Sequence, residues 1–192
     1  MTFSDDTPTV RRSPAEWAAL LLRLRDAYDA LPSGGRADLK TPNADVLRTE
    51  GAAWSLLTRV YRSELDAGTM TERDLGLLIV PLWLFPLAAH DPHDADAFQF
   101  GAWLRNVYPG TRGENLLRQL LGARTPKALL RHTADALGGA GRRSAVAWGA
   151  LGAHLVFWQF AGRPRTIVLE QWASAFYRAQ PPSTPGVIPH DD

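Results

Sequence analysis

Two groups of residues in this 192-residue chain carry side chains whose types and spacing suit chemistry. The first is a block of cations: Arg105, Arg112, Arg118, Arg124, Lys127, Arg131, Arg142, Arg143, Arg163 and Arg165 stand between positions 101 and 165, with only Glu114 and Asp135 against them. Guanidinium groups present planar forks of N–H donors that match phosphate oxygens, and a field of one sign draws in a polyanion. The chemistry such a block suits is contact with a nucleic-acid backbone, which delivers affinity without reading bases, and the competing reading is a solvated helical surface. The second group is His90, Asp91, His93, Asp94 and Asp96, ligand types that suit zinc or manganese. Their spacing is not that of a helix face, Pro92 separates the histidines, and no other cluster supplies the rest of a metal site. The run reads instead as a helix end and a turn, with Asp94 or Asp96 capping the next helix.

The charge is unevenly placed. The whole chain is close to neutral, at +1, yet the first hundred residues hold ten basic groups against fifteen acids, and the last 27 hold Arg178 against Glu170, Asp191 and Asp192. The absence of cysteine excludes a disulfide scaffold, a thiolate metal site and a cysteine nucleophile, and fits a reducing compartment. The start lacks a charged region followed by an apolar one, so a cytoplasmic location is expected. No nucleophile elbow, phosphate-binding Walker loop or His-Glu-x-x-His is present, and His132, His154 and His190 stand singly. The expectation is a protein without catalytic residues, metal or cofactor.

Helices must position the cations, because apolar residues recur at helical spacing and cap signals punctuate them. Ser13-Pro14-x-Glu16 opens the first, whose stripe is Trp17, Leu20, Leu21, Leu24, Tyr28 and Leu31, and Pro32-Ser33-Gly34-Gly35 stops it. Arg36 to Lys40 offers one turn, and a second amphipathic helix carries Trp54, Leu57, Tyr61 and Leu65. Thr71-x-x-Asp74 caps an apolar segment from Leu75 to Ala89, bent by Pro81 and Pro86. A helix with Phe100, Leu104 and Val107 inward ends at Pro109-Gly110. Thr111-x-x-Glu114 repeats the capping-box pattern, before Leu116, Leu117, Leu120 and Leu121. Thr125-Pro126 begins a helix that buries Leu129, Leu130, Thr133 and Leu137. A long helix is expected from Arg142 to Ala161, with small residues Ala145, Gly149, Gly152 and Ala153 allowing close approach, and a last one carries Val168, Trp172 and Phe176.

The fold class expected is all-α: two small helical bundles joined by a short linker, with bounds 13–109 and 110–180 between a disordered tail at 1–12 and a proline-rich one at 181–192. The nineteen residues from Ser144 to Gly162 lack any Asp, Glu, Lys or Arg and are long enough to span a bilayer. Glycines, His154 and Gln159 within them, and arginines on both flanks, favour a buried central helix instead.

In order along the chain, Gly35-Arg36-Ala37-Asp38-Leu39-Lys40, Leu87-Ala88-Ala89-His90, Arg118-Gln119-Leu120-Leu121 and Trp172-Ala173-Ser174-Ala175-Phe176-Tyr177 resemble the CasB family, the small subunit of Cascade, the type I-E CRISPR surveillance complex. The resemblance runs from Ser13 to Arg178. It implies a non-catalytic, all-α subunit present as a pair beside other Cascade subunits, lying along guide RNA and target DNA. Guide pairing reads sequence, so such a subunit holds strands by their backbones. It adds Arg36 and Lys40 to the expected nucleic-acid contacts, alongside Arg112, Arg118, Arg124, Lys127, Arg131, Arg142, Arg143, Arg163 and Arg165. The chain departs from the family where Lys40 is followed by Thr41-Pro42 and Trp172 by Ala173-Ser174-Ala175, places where the family commonly has more basic residues. Two other readings compete: a helical protein-interaction or membrane-associated module, and a metal-dependent hydrolase centred on His90 and His93.

Overall fold

A computed structural model describes residues 12–39, 51–91, 98–140 and 145–179. Lys40, Arg142 and Arg143, both terminal tails and the His93, Asp94 and Asp96 part of the histidine–aspartate run lie outside the described residues. Helix α1 (Pro14–Asp29) opens on the expected capping box, with the Ser13 side chain accepting from the Glu16 amide and the Glu16 carboxylate returning to the Ser13 backbone. Its stripe turns inward, with Trp17, Leu21, Leu24 and Tyr28 buried and Leu20 and Leu31 packed at the margin. Ser33–Ala37 forms a one-turn helix, α2, so Gly34 and Gly35 continue helical backbone instead of merely stopping α1.

The second amphipathic segment is divided. Helix α3 (Ala52–Val60) and helix α4 (Arg62–Asp66) meet at Tyr61, whose φ of −112° and ψ of 21° interrupt the helix. The Tyr61 hydroxyl donates to the Leu20 carbonyl at 2.6 Å, so the break serves a tie to α1. Helix α5 (Glu72–Leu84) begins with the Thr71–Asp74 box, carries Pro81 inside it, and tightens into a 3-10 turn at Phe85–Leu87, where Pro86 sits. Helix α6 (Phe100–Val107) follows, then α7 (Thr111–Gly122), α8 (Pro126–Ala140), α9 (Trp148–Gln159) and α10 (Arg163–Arg178).

The long helix expected from Arg142 to Ala161 is not formed. Ala145 and Val146 are a short strand, β2, paired in parallel with β1 (Ala89–His90), and α9 starts only at Trp148. The backbone there is satisfied from outside: the Trp103 indole donates to the Ala145 carbonyl at 3.2 Å, and the Asp91 amide to the Val146 carbonyl at 3.0 Å. Among the described residues no helix is long and apolar enough to cross a membrane. Apart from this two-residue pairing, regular structure in the described residues is helical, and the fold is predominantly all-α.

Helix α1 packs most extensively on α9, and α10 on α6. The α1–α9 contact is close because Gly152 leaves room for Leu21, whose Cδ1 would lie 2.7 Å from any β-carbon there. Buried residues on both sides of Pro109-Gly110 form one continuous hydrophobic cluster that includes Trp17, Phe100, Trp148, Trp158 and Trp172. Arg25, in the core-facing stripe of α1, is a buried cation. Its Nη1 donates to the carbonyls of Phe85 and Ala88 at 3.1 and 3.2 Å, its Nε pairs with Asp29 at 2.8 Å, and it lies 5.4 Å from the centre of the Phe85 ring. It therefore closes the open carbonyls at the end of the 3-10 turn. Arg25 lies four residues after Leu21 and three before Tyr28, on the buried face, whereas Arg23 falls outside that stripe and is exposed, paired with Glu64.

Candidate nucleic-acid interface

The basic block folds around a helical hairpin. Helix α7 starts at Gly110, whose φ of 74° lets the chain turn sharply after Pro109. The capping box expected at Thr111 and Glu114 is absent: no side chain caps α7, and the Glu114 carboxylate instead lies 3.5 Å from Nη1 of Arg105. Arg105 is also 5.2 Å from the centre of the Phe176 ring, so this cation of the block serves the packing of α6 against α7 and α10. Helix α8 does use its signal, with the Thr125 hydroxyl accepting from the Ala128 amide at 3.2 Å and Pro126 at the first helical position.

Only Ala123, Arg124 and Thr125 join α7 to α8, and the two helices run antiparallel. The Tyr108 hydroxyl, just ahead of α7, donates to the Ala136 carbonyl near the end of α8 at 2.7 Å. Arg112 stacks over the Tyr108 ring at 4.8 Å and reaches Gly139, where a β-carbon would be 3.1 Å from its Nη2. Arg124 thus lies at the tip, Arg118 and Lys127 flank it, and Arg112 is near the base.

All five cations of the hairpin, Arg112, Arg118, Arg124, Lys127 and Arg131, are exposed. None of them has an ion-pair partner among the described residues. Arg118 donates to the Asn115 amide oxygen at 2.8 Å, a neutral contact that leaves its charge uncompensated. Lys127 and Arg131 are four residues apart and share a face of α8 opposite the buried Leu129, Leu130, Thr133 and Leu137. The carboxylates of the hairpin are Glu114, occupied by Arg105, and Asp135, so the outer surface is strongly positive. Burial pushes the Tyr108 phenol up against the pull of Arg112, and burial pulls the His132 imidazole down, helped by Arg131 and opposed by Asp135. Both groups are uncharged at neutral pH, and the positive surface is carried by arginine and lysine alone.

The remaining expected contacts are scattered. Arg165 is committed to its own fold: Nε donates to the Trp158 carbonyl at 2.8 Å and the guanidinium lies 4.2 Å over the Trp158 ring, joining α10 to the end of α9. Arg163 is exposed at the first turn of α10. Arg36, in α2, lines a recess of about 480 Å³ with Arg25, Tyr28 and the chain from Phe85 to Ala89, apart from the hairpin. Two exposed residues near the end of α10 lie outside the expected contact set. Arg178 is bonded through its guanidinium to the Ser174 hydroxyl, and Tyr177 is 72% exposed.

Of the histidines, His154 is a partnered core group, its Nδ1 accepting from the Trp172 indole at 3.2 Å, and burial lowers its pKa. His90 sits in β1 with a buried, unpartnered Nδ1. Among the described residues no three histidine, aspartate or glutamate side chains come together as a metal site.

A family model for the CRISPR-associated protein Cse2 matches residues 35–177. The chain belongs to the CRISPR-associated Cse2 family. The resemblance to CasB is thereby borne out, since the two names denote the same small subunit. The match begins at Gly35, the start of the Gly-Arg-Ala-x-Leu element, and ends at Tyr177, the last residue of the closing aromatic element. Among solved structures, the chain is similar in fold to a chain of E. coli Cascade bound to a PAM-containing double-stranded DNA target with a 32-nucleotide spacer. The identity is 19%, the TM-score 0.55, and the alignment covers 82% of this chain and 96% of the Cascade chain. No curated protein matches the sequence.

Proposed function

We propose that this Cse2-family chain is a non-catalytic subunit of a CRISPR RNA-guided surveillance complex, in which it stabilises guide RNA and target DNA through contacts to their backbones. The observation that carries this reading is the α7–α8 hairpin: five exposed cations, without ion-pair partners among the described residues, on one short-looped element. Such a surface supplies affinity without base selection, which suits a complex whose sequence reading is done by guide pairing. The interface is assigned to Arg112, Arg118, Arg124, Lys127 and Arg131, with Arg163 as an outlying contact. Arg36 and Arg165 are less available, one half-buried in its recess and the other engaged with Trp158. Other subunits of the complex and a second copy of this chain are the partners this role requires.

Reconstitution tests the reading. Expressed with the other subunits of a type I-E complex and a guide RNA, the chain is expected to co-purify with them and to slow the dissociation of bound target DNA. A complex that assembles and holds its target equally well without this chain would contradict it.

A further inference from the structure

The largest exposed apolar side chain on the described surface is Tyr177, near the end of α10. An exposed aromatic ring is a flat apolar surface open to a planar partner, and its surroundings indicate which partner suits it. The ring packs edge-on against Phe176 with centroids 5.3 Å apart, and Phe176 is fully buried. Phe176 in turn fills the space left by Gly113 on α7, where a β-carbon would meet its ring at 3.2 Å, and takes the Arg105 guanidinium over its face. Tyr177 is therefore braced by a fixed ring that itself packs on the first turn of α7. Arg178 follows it directly, anchored to Ser174.

The setting favours a planar partner over a protein surface. Ile167 is the other exposed large hydrophobic residue, and it lies ten residues back on α10, about 15 Å along the axis. A protein-docking surface is a contiguous apolar patch, and a single ring among cations is not one. A single exposed ring next to a positive track is instead the arrangement by which proteins hold unpaired strands, with phosphates in the field and a base on the ring.

We propose that Tyr177 is a stacking platform for an unpaired nucleobase of the strand whose phosphates lie on the α7–α8 hairpin. This rests on the backbone-binding reading above and adds to it a contact with a base. The ring orders one nucleotide without selecting its identity, since every base has a π-face.

The test is titration of the full-length chain with a single-stranded DNA oligonucleotide carrying one 2-aminopurine, at several salt concentrations. Stacking quenches the probe, and Tyr177→Phe is expected to bind and quench as the unmodified protein does. Tyr177→Ala and Tyr177→Leu are expected to bind roughly five- to a hundredfold more weakly, with quenching lost and the salt dependence unchanged, because no phosphate contact is removed. An oligonucleotide of the same length without bases should not distinguish these variants. If Tyr177→Ala keeps full affinity and quenching while binding remains salt-sensitive, the platform is disproved and the backbone reading stands. If it binds DNA normally but fails to join the other subunits, the ring belongs to a protein interface and the proposal is overturned. If the unmodified chain shows no salt-sensitive binding, the backbone reading falls and the platform with it.

Discussion

The side-chain amide of Gln159 donates to the Leu77 carbonyl at 2.9 Å, and Leu77 is the residue four positions before Pro81. Pro81 has no N–H, so the Leu77 carbonyl lacks its helical donor, and α9 supplies one from outside. The same amide also reaches the Leu155 carbonyl on its own helix at 3.2 Å. A polar residue at the end of an apolar helix thus satisfies the carbonyl that Pro81 leaves open in α5.

Gln159→Leu is expected to destabilise the protein by about 1–3 kcal/mol, since it strands a half-buried carbonyl. Adding Pro81→Ala should recover part of that loss by restoring the helical donor. Chemical denaturation of both single variants and the double variant measures the coupling. Additive effects would show that the two residues act independently.

Gly101 and Trp172 give a second case, because a β-carbon on Gly101 would lie 1.9 Å from the Trp172 carbonyl oxygen. Helices α6 and α10 touch there through backbone, so Gly101→Ala must push them apart, at a cost of about 1–3 kcal/mol or more. Gly76, inside α5, has open space where its β-carbon would be. Gly76→Ala is expected to stabilise by roughly 0.5–1 kcal/mol through helix propensity. Opposite shifts of the denaturation midpoint confirm the pair of assignments, and a neutral Gly101→Ala would refute the close approach.

Stability should also fall in mild acid. Burial holds the His154 imidazole below its ordinary value of 6.5, and burial followed by Arg131 does the same for His132. A histidine whose pKa is lowered by folding takes up its proton first in the unfolded chain. Its contribution is therefore complete above pH 6.5 and is lost as pH falls from there toward the folded value. His154→Gln keeps an acceptor for the Trp172 indole and removes the titration. Its unfolding free energy should vary less between pH 7 and 5 than that of the unmodified protein. An unchanged pH dependence would show that His154 does not titrate with folding.

Much of this was legible in the chain because caps and stripes are local. Ser13, Thr71 and Thr125 mark true helix starts, and the stripes of α1, α8 and α10 face the core as their spacing requires. The misreadings share a cause, which is tertiary competition for a local signal. Glu114 had a capping position but found Arg105, and Ala145 and Val146 had helical neighbours but found the β1 backbone. The proposed interface was half legible. Charge density picked out the hairpin, yet only packing shows that Arg105 and Arg165 are committed to rings and carbonyls, and that Phe176 points inward while Tyr177 points out.

The central claim is that the hairpin binds phosphates, and the salt dependence of target binding by the assembled complex measures it most directly. Each phosphate contact releases condensed counterions, so losing one lowers the slope of log affinity against log salt by about 0.7 to 0.9, depending on the strand form. A chain with Arg118, Arg124, Lys127 and Arg131 all changed to glutamine should assemble normally, bind target DNA more weakly, and show a slope reduced by roughly the equivalent of two or more contacts. The loss should be similar for unrelated target sequences. If the complex assembles with this variant and both affinity and slope are unchanged, the hairpin is only a solvated surface and the proposed function loses its physical basis.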